Sequence, residues 1–272
     1  MSQKACPRES GDPNILMHEN YRELIWMLAK TDFKLRYHGS VLGYVWAILK
    51  PLLMFLILNF VFSSIFNPRN TGTSHYSLQL LTSIMLFNFF AEGTMAGLNS
   101  FIHKSQLITK IYVPRWTIVV AATLNSFLIF LMNLVVIALF FAWYRFLPSG
   151  LAVLTFLAYI VLTYLLILGF SFIAAPLYAR FRDLSQIWEV IVSAMFYATP
   201  IVYPLSLLPQ KYHPIILVNP IGYIVHFTKM ALTENHYASP YQNLIFVAFT
   251  VAFFLIGFGV YRKMEPKIAE NI

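Results

Sequence analysis

Between Arg115 and Arg180 the chain carries a single charged residue, Arg145. Two apolar runs fill that interval, about 117–142 and 151–178, and neither holds a charge. Runs of about twenty or more apolar residues are long enough to cross a bilayer as helices. A water-facing domain cannot carry them. In the whole chain 59% of residues are hydrophobic and 11% charged, and the mean hydropathy is +0.68. Soluble domains have about 25% charged residues. An all-α integral membrane protein follows, since helices satisfy their own backbone in lipid.

Four further spans are read around these two: about 41–66, 78–97, 186–203 and 241–261. The six form one transmembrane domain, 41–262, with a cytoplasmic lead-in of 1–40 and a tail of 263–272. Residues 205–240 are apolar but cut by Pro209, Pro214, Pro220 and Pro240. Short broken pieces of this kind predict half-helices that dip into the outer face and return. Pro200 and Pro204 end or bend the fifth span. Asn67 to Ser77 has the composition of a short loop.

Charge sets the orientation. Of nineteen Lys and Arg residues, fifteen fall in segments on the N-terminal side of the membrane and four, Arg69, Arg145, Lys211 and Lys229, on the other. Positive charge stays inside, so both termini are predicted to be cytoplasmic. The net charge of +8 is then topological bias, not a nucleic-acid surface. Cys6 is the single cysteine, which excludes an internal disulfide and a cysteine-based metal site. The polar first fourteen residues show no signal peptide.

Residues 15–35 read as an amphipathic helix. Tyr21, Leu24, Ile25 and Leu28 share one face while Glu19, Arg22, Glu23 and Lys30 favour another. Such a helix lies in the membrane interface or docks on a partner. It runs into a basic collar, Lys30, Lys34 and Arg36, ahead of Tyr44, Trp46 and Pro51. Lys50 sits near the start of the first span, where a lysine can snorkel to the interface.

Ionisable groups inside the spans are few: Lys50, Glu92 and Glu189. An intramembrane acid must face protein or water. Glu92 is either bonded to a neighbouring helix or set on a transport path. Gly93 and Gly97 allow a close helix contact. The loop at 98–116 is basic with a short helical period. No phosphate-cradling G-x-x-x-x-G-K-S/T run is present, nor a metal-binding HExxH. Such a chain runs downhill or borrows its energy from a partner.

The opening Arg36-Tyr37-x-x-Ser40-x-Leu42-Gly43-x-x-Trp46-x-x-Leu49-x-Pro51-Leu52 resembles the membrane subunit of polysaccharide-exporting ABC transporters, type-2 export permeases. Tyr112-Val113-Pro114-Arg115, Arg180-Phe181-Arg182-Asp183 and Thr199-Pro200-Ile201-x-Tyr203 are similar to later segments of that family, in the same order. The resemblance implies a pore of two copies, with two copies of a separate ATP-binding subunit that holds ATP and Mg; this chain itself carries no cofactor. It implies export of an undecaprenyl-pyrophosphate-linked polysaccharide, O-antigen above all, with capsule and teichoic acid in the same class, across the bacterial cytoplasmic membrane. Arg22, Lys30, Lys34, Arg36 and Tyr37 are the candidates for the anionic headgroup. Lys104, Lys110, Tyr112, Pro114, Arg115, Arg180, Arg182 and Asp183 are the candidates for ATPase coupling. Sugar faces pack on aromatic rings, and the chain is 17% aromatic. Phe60, Phe87, Phe90, Tyr197 and Tyr203 are the glycan-path candidates, although aromatics also fill membrane cores. Two other readings stand beside this one. One is a membrane enzyme on lipid-linked sugars with Glu92 or Asp183 as base. The other is an ABC permease for a small drug or lipid.

Overall fold

The computed structural model describes residues 21–36, 39–63, 75–110 and 113–268, with the side chains of 108–110 and 267–268 left aside. Tyr37, Tyr112, Cys6, the start of the amphipathic segment and most of the 67–77 loop lie outside the described residues. Helices make up the described architecture, with no strand among those residues. They are α1 (Tyr21–Arg36), α2 (Trp46–Phe62), α3 (Tyr76–His103), α4 (Ser105–Lys110), α5 (Arg115–Trp143), α6 (Gly150–Arg180), α7 (Leu184–Ala198), α8 (His213–Val218), α9 (Pro220–Glu234) and α10 (Pro240–Ile268).

Five helical stretches are long and apolar enough to cross a membrane: Gly43–Phe62, Tyr76–His103, Arg115–Trp143, Gly150–Arg180 and Pro240–Pro266. The chain is a multi-pass, all-α membrane protein. The expected fifth span at 186–203 is different. α7 has 15 residues and stops at Ala198, so it rises about 22 Å at 1.5 Å per residue, short of the roughly 30 Å hydrocarbon layer. The cause is local. A residue before proline is pushed out of the helical region, and Thr199, before Pro200, is extended at φ −83°, ψ 138°. Downstream, Gln210–Val218 and Pro220–Glu234 meet at a bend of 112°. Pro220 starts the second arm, with the Asn219 side chain accepting from the Ile221 amide.

The glycines between α1 and α2 make the turn into the membrane. Gly39 has φ +79° and Gly43 φ +49°, a region that side-chain-bearing residues avoid. α2 itself is peripheral: 17% of the apolar window in Gly43–Phe62 is buried, against 72% for α3. α3 is therefore the hub, packed against α5, α6 and α9. In lipid this packing is driven by close contact rather than by release of water. Phe89 stacks on Phe130 at 4.5 Å, and Phe172 meets Phe258 and Tyr261 at 5.5 and 5.4 Å. Gly97 lies under Ser171 of α6, so the GxxxG pair does bring two helices together. A second approach, Gly169 against Gly257, joins α6 to α10.

The two ends of the bundle are tied differently. At the basic end, Arg115 donates to the Glu265 carbonyl and the Tyr261 hydroxyl to the Glu265 carboxylate at 2.8 Å. At the far end, the bent pair is locked to α3. Gln79 Nε2 donates to Thr233 Oγ1 at 2.8 Å and to Glu234 Oε1 at 3.0 Å. Tyr76 donates to the Val202 carbonyl at 2.8 Å. Lys229, counted above as an outer charge, is buried and donates to the carbonyls of Pro200 and Tyr203.

Candidate substrate cleft and coupling surface

α3 is buried on every side but one. Between Asn88 and Asn99, the residues Asn88, Ala91, Glu92, Met95, Ala96 and Asn99 are partly open and the rest are buried. These positions recur at three and four residues and so form one stripe along the helix. The stripe faces a cavity of about 780 Å³ bounded by α1, α2, α3, α5 and α7. Asp32, Arg36, Lys50, Glu92, Glu189 and Ser193 line it. A second cavity of about 290 Å³ continues between α2, α3 and α5. The two meet at Lys50 and Glu92, which line both.

α1 closes one side of this cleft. It packs along α5, with Tyr21 edge-on to Trp116 at 5.9 Å and Ala29 fully buried. Trp26, Met27 and Leu35 remain exposed on α1. Two ion pairs tie α1 to the α3 end of the cleft. Arg36 Nη2 lies 3.4 Å from Glu92 Oε2, and Lys104 Nζ lies 2.7 Å from Asp32 Oδ1. The first pair is more than a third exposed and the second mostly enclosed. Exposed pairs contribute about 0–1 kcal/mol, so the Asp32–Lys104 contact is the firmer tie.

α7 forms the opposite wall. Trp188 donates to Thr94 Oγ1 at 3.1 Å and stacks on Phe170 at 4.0 Å, fixing α7 to α3 and α6. Glu189 and Ser193 turn to the cavity, whereas Ile187, Val190 and Tyr197 are exposed.

Of the headgroup candidates, Arg22 lines a separate hollow beside α1 with Trp26 and Leu124. Lys30 and Lys34 are exposed, and among the described candidates Arg36 alone reaches the main cavity. Of the path aromatics, Phe60 and Tyr197 are exposed. Phe87 and Phe90 are not: both are buried in the core, Phe87 edge-on to Phe196 at 5.4 Å. They offer no open ring face, because α3 turns them away from its polar stripe. Tyr203 donates to the carbonyls of Tyr197 and Ala198 at 3.3 and 3.2 Å, closing the frayed end of α7.

The coupling candidates fall in two places. Pro114 precedes α5 and Arg115 opens it; the backbone of Lys110 ends α4, its side chain outside the described set. Arg180 ends α6, over the Phe181 ring at 5.3 Å. Arg182 and Asp183 are exposed in the turn before α7. Since α5 starts where α3 and α6 end, both places lie at the same end of the bundle, an exposed basic surface.

Sequence reasoning missed Asp32 as a partner, Lys50 as a cleft residue, and Asn88, Asn125, Ser126 and Asn133 as its polar walls. A signal for the last three existed. Asn125 and Ser126 lie eight and seven residues before Asn133 in an uncharged span, hence on one face.

A family model described as ABC-2 type transporter matches residues 23–232. The chain belongs to the ABC-2 type transporter family. As an ABC-2 membrane subunit it is a transport component, not an enzyme, and the ATPase is a separate chain. The acids weighed as enzymatic bases are otherwise placed: Glu92 is paired with Arg36 and Asp183 lies in an exposed turn. Among similar proteins, an O-antigen export system permease of Klebsiella pneumoniae is 28% identical over 91% of this chain and 94% of its own length. An O-antigen export system permease of Myxococcus xanthus is 23% identical over 93% and 96%. A polysialic acid transport protein of Escherichia coli is 21% identical over 88% and 93%.

Proposed function

We propose that this chain is the membrane half of an ATP-driven exporter that moves a polysaccharide on an undecaprenyl-pyrophosphate carrier, O-antigen being the favoured cargo. The observation that carries the reading is the cleft. It is large, begins at the basic end of the bundle, and is walled by carboxylate, ammonium, amide and hydroxyl groups. Polar groups set among apolar side chains suit a cargo that joins a lipid to a hydroxyl-rich chain. The relatives named above are permeases and transport proteins for O-antigen or polysialic acid, which supports the same cargo class.

Exposed apolar surface supports the rest of the assembly. Leu56, Ile57 and Phe60 of α2, with Ile187, Val190 and Tyr197 of α7, expose a large apolar area on both sides of the cleft. A second copy meeting these faces would close two clefts into one path. Two ATPase subunits, holding ATP and Mg, would dock on the basic end around Arg115 and Arg180 to Asp183. The termini would be cytoplasmic, in the inner membrane, by the fifteen-to-four bias of Lys and Arg. The collar of Arg22, Lys30, Lys34 and Arg36 would receive the pyrophosphate, since an anionic headgroup wants cationic donors at the interface.

The test is assembly. The chain is purified with and without its ATPase partner in lipid discs, and mass and ATP hydrolysis are measured. Two copies of each subunit, hydrolysing ATP, support the reading. A chain that stays alone and binds no ATPase contradicts it.

A further inference from the structure

Four side-chain oxygens in the cleft walls are buried and have no hydrogen-bond partner: Ser100 Oγ, Asn125 Oδ1, Ser126 Oγ and Asn133 Oδ1. Their residues are between 2% and 9% exposed. Ser100 and Asn125 line the larger cavity, Ser126 and Asn133 the smaller. Three of the four stand on one face of α5. At 1.5 Å per residue, Asn125 lies about 15 Å and Asn133 about 27 Å from Arg115 at the basic end. The ladder therefore climbs through the depth of the bilayer. Unpaired polar atoms at that depth are costly, and leucine would fill the same volume without the cost.

The chemistry of the open sites is selective. An amide oxygen accepts and cannot donate, so it is satisfied only by a group that brings a hydrogen. A phosphate diester or acyl ester brings none. A sugar brings several hydroxyls, each a donor. Beside the ladder stands Lys50, a cation on both cavities with no ion pair among the described residues. Two amide oxygens that only accept, two hydroxyls that accept and donate, and one cation fit a ligand that is polyhydroxyl in one part and anionic in the next.

We propose that Asn125, Ser126 and Asn133 form a hydroxyl-reading subsite for the first sugars of the lipid-linked chain, with Lys50 facing the adjoining phosphate. The proposal rests on the exporter reading above. It assigns recognition of the carrier-proximal sugar to α5, a helix whose contribution to the cleft is neither basic nor mainly aromatic.

The experiment uses the full assembly of both subunits in lipid discs. The probes are undecaprenyl diphosphate and undecaprenyl diphosphate bearing one N-acetylhexosamine. Radiolabel binding gives an affinity ratio for sugar over no sugar. The wild type is expected to prefer the sugar-bearing lipid. Asn133→Leu is expected to lower that ratio about tenfold, the worth of a lost buried hydrogen bond, and to leave the sugarless lipid within about twofold. Asn133→Thr, which keeps an acceptor, should retain most of the ratio. Should Asn133→Leu not assemble, Ser126→Ala removes one atom and reads the same ratio. An unchanged ratio in the leucine and alanine variants overturns the subsite and leaves the ladder as a hydration site. Failure of the wild type to bind either lipid overturns the exporter reading itself.

Discussion

Gly97→Ala tests the tightest helix approach. A Cβ built on Gly97 collides with both Oγ and Cβ of Ser171 on α6, and meets Thr123 Cγ2 of α5 at 3.1 Å. The Ser171 hydroxyl, which donates to the Ile167 carbonyl at 2.6 Å, can rotate away. Its Cβ cannot, being fixed to the α6 backbone. The helices must then part by about 1 Å, and overpacking of this kind costs about 1–3 kcal/mol. The upper part of that range applies because no side-chain rotation relieves the clash. Gly93 provides the control. Its added Cβ meets Ile167, with Cδ1 at 2.7 Å and Cγ2 at 3.0 Å; a turn of χ2 relieves the closer contact and leaves the milder one, so Gly93→Ala falls in the lower part. The assay is thermal unfolding of the purified chain in detergent, at about 2–4 °C per kcal/mol for a chain of this size class. Gly97→Ala should lose about 4–10 °C and Gly93→Ala clearly less. Gly97→Ala combined with Ser171→Gly should recover most of the loss. Equal losses at the two glycines, or no recovery in the double variant, would refute the packing argument.

Three more outcomes follow from the packing and the polar ties. Gly257→Ala meets the Gly169 carbonyl, a backbone atom, so it should destabilise by about 2–3 kcal/mol with no side-chain change at 169 able to rescue it, as thermal unfolding of the single and paired variants will read. A double-mutant cycle on Asp32 and Lys104 should give a larger coupling than one on Arg36 and Glu92. The former pair is closer and better enclosed, and the latter should stay under about 1 kcal/mol and weaken with salt. Lys229→Met removes the donor shared by the Pro200 and Tyr203 carbonyls. Amide exchange at Ile201 to Tyr203 should then rise about tenfold, and unchanged protection would show that the lysine is not the anchor.

Span positions were legible in the sequence because length and apolarity fix them locally. α5 and α6 begin and end within two residues of the uncharged runs. The bend among the prolines after 205 was legible for the same reason, since Pro220 starts an arm rather than continuing one. The length of α7 was misread, because apolar composition continues to Tyr203 while Thr199, held extended before Pro200, has already left the helix. The cleft was only half visible. Glu92 and Glu189 drew notice as charges in lipid, but asparagine carries no charge, and its role depends on which face α5 turns to α3. Phe87 and Phe90 turn on the same point: they share α3 with Glu92 but are buried off its open stripe. Lys229 looked like a topological charge, because nothing in α9 announces that the Pro200 and Tyr203 carbonyls converge on it.

Export of a lipid-linked polysaccharide, as proposed above, is testable in cells. The most direct measurement is the location of that polymer in cells lacking the chain, followed by fractionation of the cytoplasmic membrane. Finished polymer is expected to accumulate on its lipid carrier at the cytoplasmic side, and the wild-type chain to restore surface polymer. Undiminished polymer at the cell surface without this chain would contradict it.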